Sequence, residues 1–321
     1  MKNFKKYKKF KVLLVADKRN YPFYNIACEI FLSGNEDFEF EILSLQDFPE
    51  LLSSSLNLQP DGFEFLFEVL TYSKSNNFDL IHFFWRESLN QLDSSLMKTK
   101  VLQKGLAWHE FEKKFIIDQV ITTAIYDHID TPRETLQKTL NRYAKAYYVS
   151  SLRLFEKYTS DGFNPHSVIM DGVSLHNLRV NTNFQNLSNK NVINLGWVGN
   201  SKWGGEFSID HKGLNTIIVP AVKELNERYD SPEQKFILKV ADSSIRKIPL
   251  NEMSDFYSGI DIYINASKNE GTPNPILESM ACGIPIITTD VGIVNEVFGN
   301  IQKKYILRSR ESKELADKIE E

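Results

Sequence analysis

Short apolar runs alternate with longer amphipathic segments along this chain, and the alternation predicts most of its architecture. Residues 11–17 form an apolar run that ends in polar residues, as a strand buried on both faces does. Residues 24–32 read as a helix, 38–43 as a second strand and 61–72 as an amphipathic helix. A third strand is predicted over 79–85, with further strand-like pieces at 115–117, 120–125 and 146–150 between helical segments. Strands alternating with helices predict a parallel sheet covered on both faces. The stretch 171–190 breaks the pattern. It is polar and weakly periodic, with asparagines at 177, 181, 183, 186 and 189, and reads as a linker.

A second alternation follows. Residues 192–199 form a strand running into a glycine-containing turn, and 212–229 a helix whose Leu214, Ile217, Ile218, Ala221, Val222 and Leu225 share one face. Strands are predicted at 235–240, 261–264 and 284–287, with helices at 251–257, between the last two strands, and over 311–321. The expected organisation is a Rossmann-like α/β domain at 1–172, a linker at 173–190 and a second Rossmann-like α/β domain at 191–321. Two such halves would place a ligand cleft between them, beyond the carboxyl ends of the strands.

Composition narrows the function classes. The 321 residues suit two domains, and 42% hydrophobic with 25% charged residues is ordinary for a globular protein. A net charge of −4 carries no basic excess for nucleic acid, so no nucleic-acid partner is expected. Lysines 2, 5, 6, 8, 9 and 11, interleaved with Phe4, Tyr7 and Phe10, form the dense basic cluster. It reads either as a solvated lead-in to the first strand or as a peripheral contact with anionic lipid, at roughly 1 kcal/mol per basic residue. No run of 18 apolar residues and no secretory leader is evident, and Cys28 and Cys282 each lie in an apolar segment. A cytoplasmic protein, peripheral at most, with two reduced thiols is expected. The chain has no GxGxxG after its first strand, no GxxxxGK[ST], no GxSxG, no Asp-x-Asp pair and no zinc-ligand spacing.

The most informative stretch is 269–285. It joins two β-like runs through a loop with Gly271, Pro273 and Pro275, then a short apolar helix closed by Gly283. The prolines suit a loop and first helical turn, Gly283 a position just past the helix end, and Pro285 forbids continuation. Glu270 then falls in the loop and Glu278 about one turn into the helix, near its anion-favouring start. Acceptor carboxylates beside such a start suit a ligand with both hydroxyls and phosphates, such as a nucleotide sugar.

Glu270 and Glu278, with seven residues between them, and the continuation through Met280-Ala281-Cys282-Gly283-Ile284-Pro285 to Asp290-Val291-Gly292, resemble the E-x7-E signature of family-4-type retaining glycosyltransferases. The resemblance extends to Gly199 followed by Lys212-Gly213, and covers roughly 192–299; in the first half it is an order of strands plus Asp171-Gly172-Val173. It implies the GT-B fold of two facing Rossmann-like domains. By that resemblance Glu270 would face the donor sugar, the backbone of Gly271, Thr272, Pro273 and Asn274 would line its hydroxyls and phosphate, and Glu278 would take the ribose hydroxyls. Lys212 would neutralise the departing diphosphate, and His128 would be a donor-contacting histidine. Asp17, Arg19, His82 and Asp127 are the acceptor-side candidates from their strand-end positions; a core histidine is the alternative for His82. Many relatives have Arg after the glycine that corresponds to Gly199. Here Asn200 stands there, and Lys202 is the candidate cation in its place. Relatives also continue past this chain's last helix, so the second domain is expected to be a short variant or to lack its last helices.

The implied activity is transfer of a sugar from a nucleotide-diphosphate sugar to a glycan or lipid-linked acceptor with retention, in surface polysaccharide or lipopolysaccharide biosynthesis. No metal and no cofactor are expected. The alternatives are a non-catalytic nucleotide-sugar-binding protein and a GT-B phosphorylase or epimerase.

Overall fold

The computed structural model describes residues 8–19, 21–34, 36–48, 62–126, 132–180, 187, 190–203, 210–229 and 235–321. The chain groups into two compact units. The first runs to Ile169, and the second takes the remainder together with Tyr126 and Ser151–Leu154. Among the described residues no helix is long and apolar enough to cross a membrane.

The first unit is built on β1 (Phe10–Val15), β2 (Phe38–Leu43), β3 (Leu80–Phe83), β4 (Ile121–Ile125), β5 (Ala146–Val149) and β6 (Ser167–Val168). They pair in parallel in the order β2-β1-β3-β4-β5-β6. The intervening helices are α1 (Pro22–Ser33), α2 (Gly62–Ser75), α3 (Glu87–Leu92), α4 (Ser95–Gln103), α5 (Trp108–Phe111), α6 (Arg133–Tyr143) and α7 (Leu152–Ser160). A covered parallel sheet buries both faces of its strands, and Leu13, Leu14, Ile81, Phe83 and Ile125 are buried accordingly.

Residues 115–117 are not a strand. They end a π-helical turn, Glu112–Ile117, that continues α5, with Phe115 stacked on Phe111 at 5.0 Å. A three-residue apolar run is too short for its period to separate a strand from a buried helical turn. The pattern also left α3 and α4 unassigned, although Ser94 caps α4 by accepting from the Met97 amide at 3.1 Å.

The second unit holds β7 (Val192–Gly199), β8 (Lys235–Asp242), β9 (Ile262–Asn265), β10 (Ile286–Thr289) and β11 (Ile306–Leu307), all parallel in the order β11-β10-β9-β7-β8. The chain steps from β7 outward to β8 and then crosses back to β9 on the other side of β7. The strand order therefore reverses between β7 and β9, where open α/β sheets form a crevice at the strand ends. The helices are α8 (Val219–Arg228), α9 (Leu250–Ser258), α10 (Asn274–Ala281), α11 (Val294–Val297) and α12 (Ser312–Glu320). One face of the sheet buries Leu195, Trp197, Ile218, Leu225 and Leu315 beneath α8 and α12. The other buries Tyr257, Tyr263, Ile276, Ile286 and Phe298 with α9 and α10.

The helix expected from residue 212 begins at Leu214. Gly213 sits in the left-handed region at φ +70° and turns the chain, and the Asp210 carboxylate accepts from the amides of Asn215 at 2.7 Å and Thr216 at 2.8 Å. The first turn, Leu214–Ile218, is π-helical, with the Val219 amide bonded to Leu214 O. That wider turn precedes Pro220, which lacks the donor a regular turn would use.

Candidate functional site

At the reversal point, the ends of β7 and β9 and the turn before α8 bring several polar groups together. Lys212 Nζ lies 2.5 Å from Glu270 Oε1. Ser267 Oγ is 2.7 Å from the same oxygen and 2.8 Å from Asn265 Oδ1. Asn265 Nδ2 donates to Thr288 Oγ1 at 3.1 Å, and Thr289 Oγ1 donates to Ser267 O at 2.7 Å. Glu270 is therefore anchored through two strand ends by a buried hydrogen-bonded chain. Lys212 stands just before a helix, where a cation is disfavoured unless an anion is close. Glu270, 58 residues later, is that anion.

Arg310 fixes the same corner. Its Nε donates to Ala266 O at 2.7 Å, and its Nη2 donates to Asp210 O. Lys212 Nζ also lies 5.8 Å from the ring centroid of Trp203, whose edge-on neighbour is His211 at 5.3 Å. Trp203 is 44% exposed.

The loop 269–274 is held by close backbone approach. A Cβ on Gly271 would fall on the carbonyl oxygen of Tyr126, and one on Gly292, itself at φ +51°, would fall on Gly271 O. Neither position admits a larger residue without moving the loop. Asp171, half-buried, neighbours Thr272 and Tyr126. Burial pushes its carboxyl up to about 6, and the two neighbouring hydroxyls oppose that rise.

The loop leads into α10, whose C-terminus closes on Gly283 at φ +74°. The Gly283 amide bonds Met280 O at 3.0 Å and the Ile284 amide bonds Ser279 O at 2.9 Å, which is the Schellman arrangement. One turn into α10, Glu278 Oε2 accepts from the Tyr257 hydroxyl at 2.5 Å. Burial raises the Glu278 carboxyl above its ordinary range, and the Tyr257 hydroxyl opposes that rise.

The turn after β7 is ordered by its own polar groups. Asn200 Oδ1 accepts from the Lys202 amide at 2.9 Å, and Lys202 is exposed. Gly199 is required because a Cβ would meet the Trp197 ring at 2.7 Å. Asp242, at the end of β8, is buried and accepts from the amides of Ser201 at 3.1 Å and Ser244 at 2.9 Å. Burial works against its charge, but the Ser201 and Ser244 hydrogen bonds outweigh it and hold the carboxyl below its ordinary value.

Of the residues singled out in the sequence, Lys212, Glu270 and the loop Gly271–Asn274 share one corner of the second unit; Glu278 follows on α10, and Gly199, Asn200 and Lys202 form the neighbouring turn. Asp17, Arg19 and His82 belong to the first unit. Arg19 pairs with Asp47, and its amide donates to Gln46 Oε1 at 3.1 Å. The Asp17 carbonyl accepts from the Leu45 amide at 3.2 Å. His82 lies inside β3 with Nδ1 2.9 Å from Thr122 Oγ1 and its ring stacked on Tyr148. Burial lowers its pKa to about 4, so it is neutral at physiological pH. Asp127 and His128, and Lys2, Lys5 and Lys6 of the basic cluster, lie outside the described residues. Ser267, Asn265, Asp242, Tyr257, Trp203 and Arg310 had no assigned role in the sequence pattern. Strand-end position could have flagged Asn265 and Asp242, and closeness to Glu270 could have flagged Ser267, while Tyr257 and Arg310 are recognised through contacts remote in sequence. No group of three or more His, Cys, Asp or Glu side chains suited to a metal ion occurs among the described residues.

Residues 225–321 match the family model described as glycosyl transferases group 1. CapJ of Staphylococcus aureus is 25% identical over 209 residues, covering 60% of this chain and 49% of CapJ. TuaC of Bacillus subtilis, whose name gives it as a candidate teichuronic acid biosynthesis glycosyltransferase, is 27% identical over 90 residues, covering 28% of this chain and 23% of TuaC. The chain thus spans about half of one curated relative and under a quarter of the other. Among solved structures, Anabaena HepE in complex with UDP-glucose superposes with a TM-score of 0.60 at 15% identity, covering 97% of this chain and 88% of that one. At that identity the likeness is one of fold, and the fold is GT-B, with two parallel-sheet Rossmann-like domains.

Proposed function

We propose that the protein is a GT-B glycosyltransferase of surface polysaccharide biosynthesis. In this reading it moves a sugar from a nucleotide-diphosphate sugar to a glycan or lipid-linked acceptor with retention of configuration. The observation that carries the reading is the Lys212–Glu270 pair at the point where the strand order of the second sheet reverses, with Glu278 one turn into the following helix. The match of 225–321 to the glycosyl transferases group 1 model supports the class, and the TuaC name supports the pathway type. The HepE complex makes UDP-glucose the first donor to try.

In this reading Glu270 accepts from hydroxyls of the donor sugar. The Lys212 ammonium, already held at the site by Glu270, lies where the diphosphate gains negative charge as the glycosidic bond breaks. A preorganised cation there contributes more to the transition state than to the bound donor. Ser267, Asn265 and Arg310 keep the pair in place. For retention, the acceptor hydroxyl attacks from the face the diphosphate leaves, and a leaving phosphate oxygen takes its proton.

The test is donor turnover with radiolabelled UDP-glucose and an acceptor panel, with the product anomer read by NMR. Glu270→Ala and Glu278→Ala should each lower transfer by about 10²-fold or more. Full activity in the double variant would remove both residues from the reaction. Nucleotide binding without turnover on any acceptor would replace the transferase reading with that of a nucleotide-sugar-binding protein.

A further inference from the structure

Tyr257 is a buried group beside the site for which the proposed reaction has no use. Its side chain is 0% exposed, packed with Tyr263, Ile276 and Cys282 in the core beneath α9 and α10. A phenylalanine would fill the same apolar space. Tyr257 nevertheless directs its hydroxyl to Glu278 Oε2 at 2.5 Å. We propose that Tyr257 is a positioning residue that pins the Glu278 carboxylate by one oxygen, leaving the other to read the ribose hydroxyls, so that the site selects ribonucleotides over 2′-deoxyribonucleotides. The inference rests on the assignment of Glu278 to the donor nucleotide.

Two features of the structure support it. A glutamate on a helix has three side-chain torsions, and a hydrogen bond to one carboxylate oxygen from a residue that cannot move fixes where the second oxygen points. Tyr257 meets that condition, since its ring is locked in the core and stands 6.4 Å, edge-on, from Tyr263. The second feature is charge. Tyr257 is the side chain that acts on the Glu278 carboxyl, and the Glu278 charge is felt in turn by Tyr257, Tyr263 and Cys282. Burial disfavours the Glu278 anion, and the Tyr257 proton is the contact that opposes this. An ionised carboxylate accepts from both vicinal hydroxyls of a ribose, whereas a protonated one gives up an acceptor position. A site built to bond a hydroxyl discriminates against the analogue that lacks it, because its own polar group is then left unpaired.

Calorimetric titration with UDP, dUDP, GDP and dGDP tests this on the wild type, Tyr257→Phe and Glu278→Gln. The wild type should prefer the ribo form by about tenfold or more. Tyr257→Phe should narrow that preference through weaker UDP and GDP binding, with dUDP and dGDP nearly unaffected, and Glu278→Gln should abolish it. In the wild type the preference should fall on acidification, and in Tyr257→Phe that fall should begin at higher pH. A loss of packing alone would weaken ribo and deoxy forms equally, so an unchanged ratio in Tyr257→Phe overturns the inference. Should that variant not fold, the Glu278→Gln ratio and the wild-type pH series decide: an unchanged ratio in the first, or a pH-independent one in the second, overturns it. Absence of any nucleoside diphosphate binding removes the donor reading and this inference together. Binding with equal ribo and deoxy affinity in the wild type removes this inference alone.

Discussion

Asp171→Asn is expected to stabilise the protein at neutral pH and to do little in acid. Asp171 is half-buried beside Thr272 and Tyr126, and burial pushes its carboxyl from an ordinary 3.8 up to about 6. The folded state therefore holds the proton more tightly than the unfolded chain. Between about pH 4 and pH 6 the folded state carries the extra proton, so stability falls as pH rises through that window, and the whole penalty is present above it. A rise of about two units at 1.36 kcal/mol each sets the penalty at up to about 3 kcal/mol at neutral pH. An asparagine keeps the shape and still accepts a hydrogen bond through its oxygen, without the charge to desolvate. It should recover about 1–3 kcal/mol near pH 7.5 and close to none near pH 4. Urea unfolding at several pH values, followed through the buried Trp197, measures this. A variant less stable than wild type at neutral pH, or a gain of equal size at both ends of the range, would refute the argument that burial dominates at Asp171.

Other predictions concern the site and the core. Gly271→Ala should leave the fold intact but displace the loop from Tyr126, lowering donor turnover by on the order of 10²-fold, since small misplacements near the reacting centre are that costly. Lys212→Ala should lower turnover by about 10²–10³-fold while weakening nucleotide binding less, as expected for a charge used mainly in the transition state; equal losses in both would point to ground-state binding. Transfer should persist in excess EDTA if Lys212 meets the charge on the leaving diphosphate, and loss of activity restored by a divalent cation would contradict that. Leu315→Ala, at a wholly buried position of α12 packed near Leu225, should cost about 2–5 kcal/mol in denaturant unfolding.

Much of the fold was legible because its signals are local. Apolar runs of strand length at 11–17 and 192–199 announce buried parallel strands, and the apolar face from Leu214 to Leu225 announces a helix. The Gly283 cap could be anticipated because a helix end followed by glycine and a nearby proline has few alternatives. Other local signals were ambiguous. Residues 115–117 are as apolar as a strand but only three long, and the aromatic stacking of Phe115 on Phe111 keeps them in a helical turn. His82 looked like the end of a strand, and its burial between Thr122 and Tyr148 is a property of the sheet rather than of its neighbours in the chain.

The sequence by itself determined the alternation of strands and helices, the glycine positions that the loop and helix end require, and the pairing of two acids around an anion-favouring helix start. Each depends on residues within about two turns of one another, where spacing alone sets which side chains meet. Tertiary structure alone decided which groups from remote segments those acids face. Lys212 meets Glu270 across 58 residues because the chain reverses its strand order between β7 and β9. Tyr257 meets Glu278, and Arg310 ties Ala266 to Asp210, because separate elements pack onto one parallel sheet. A contact between remote segments depends on how the whole sheet is assembled, and no spacing within either segment encodes it.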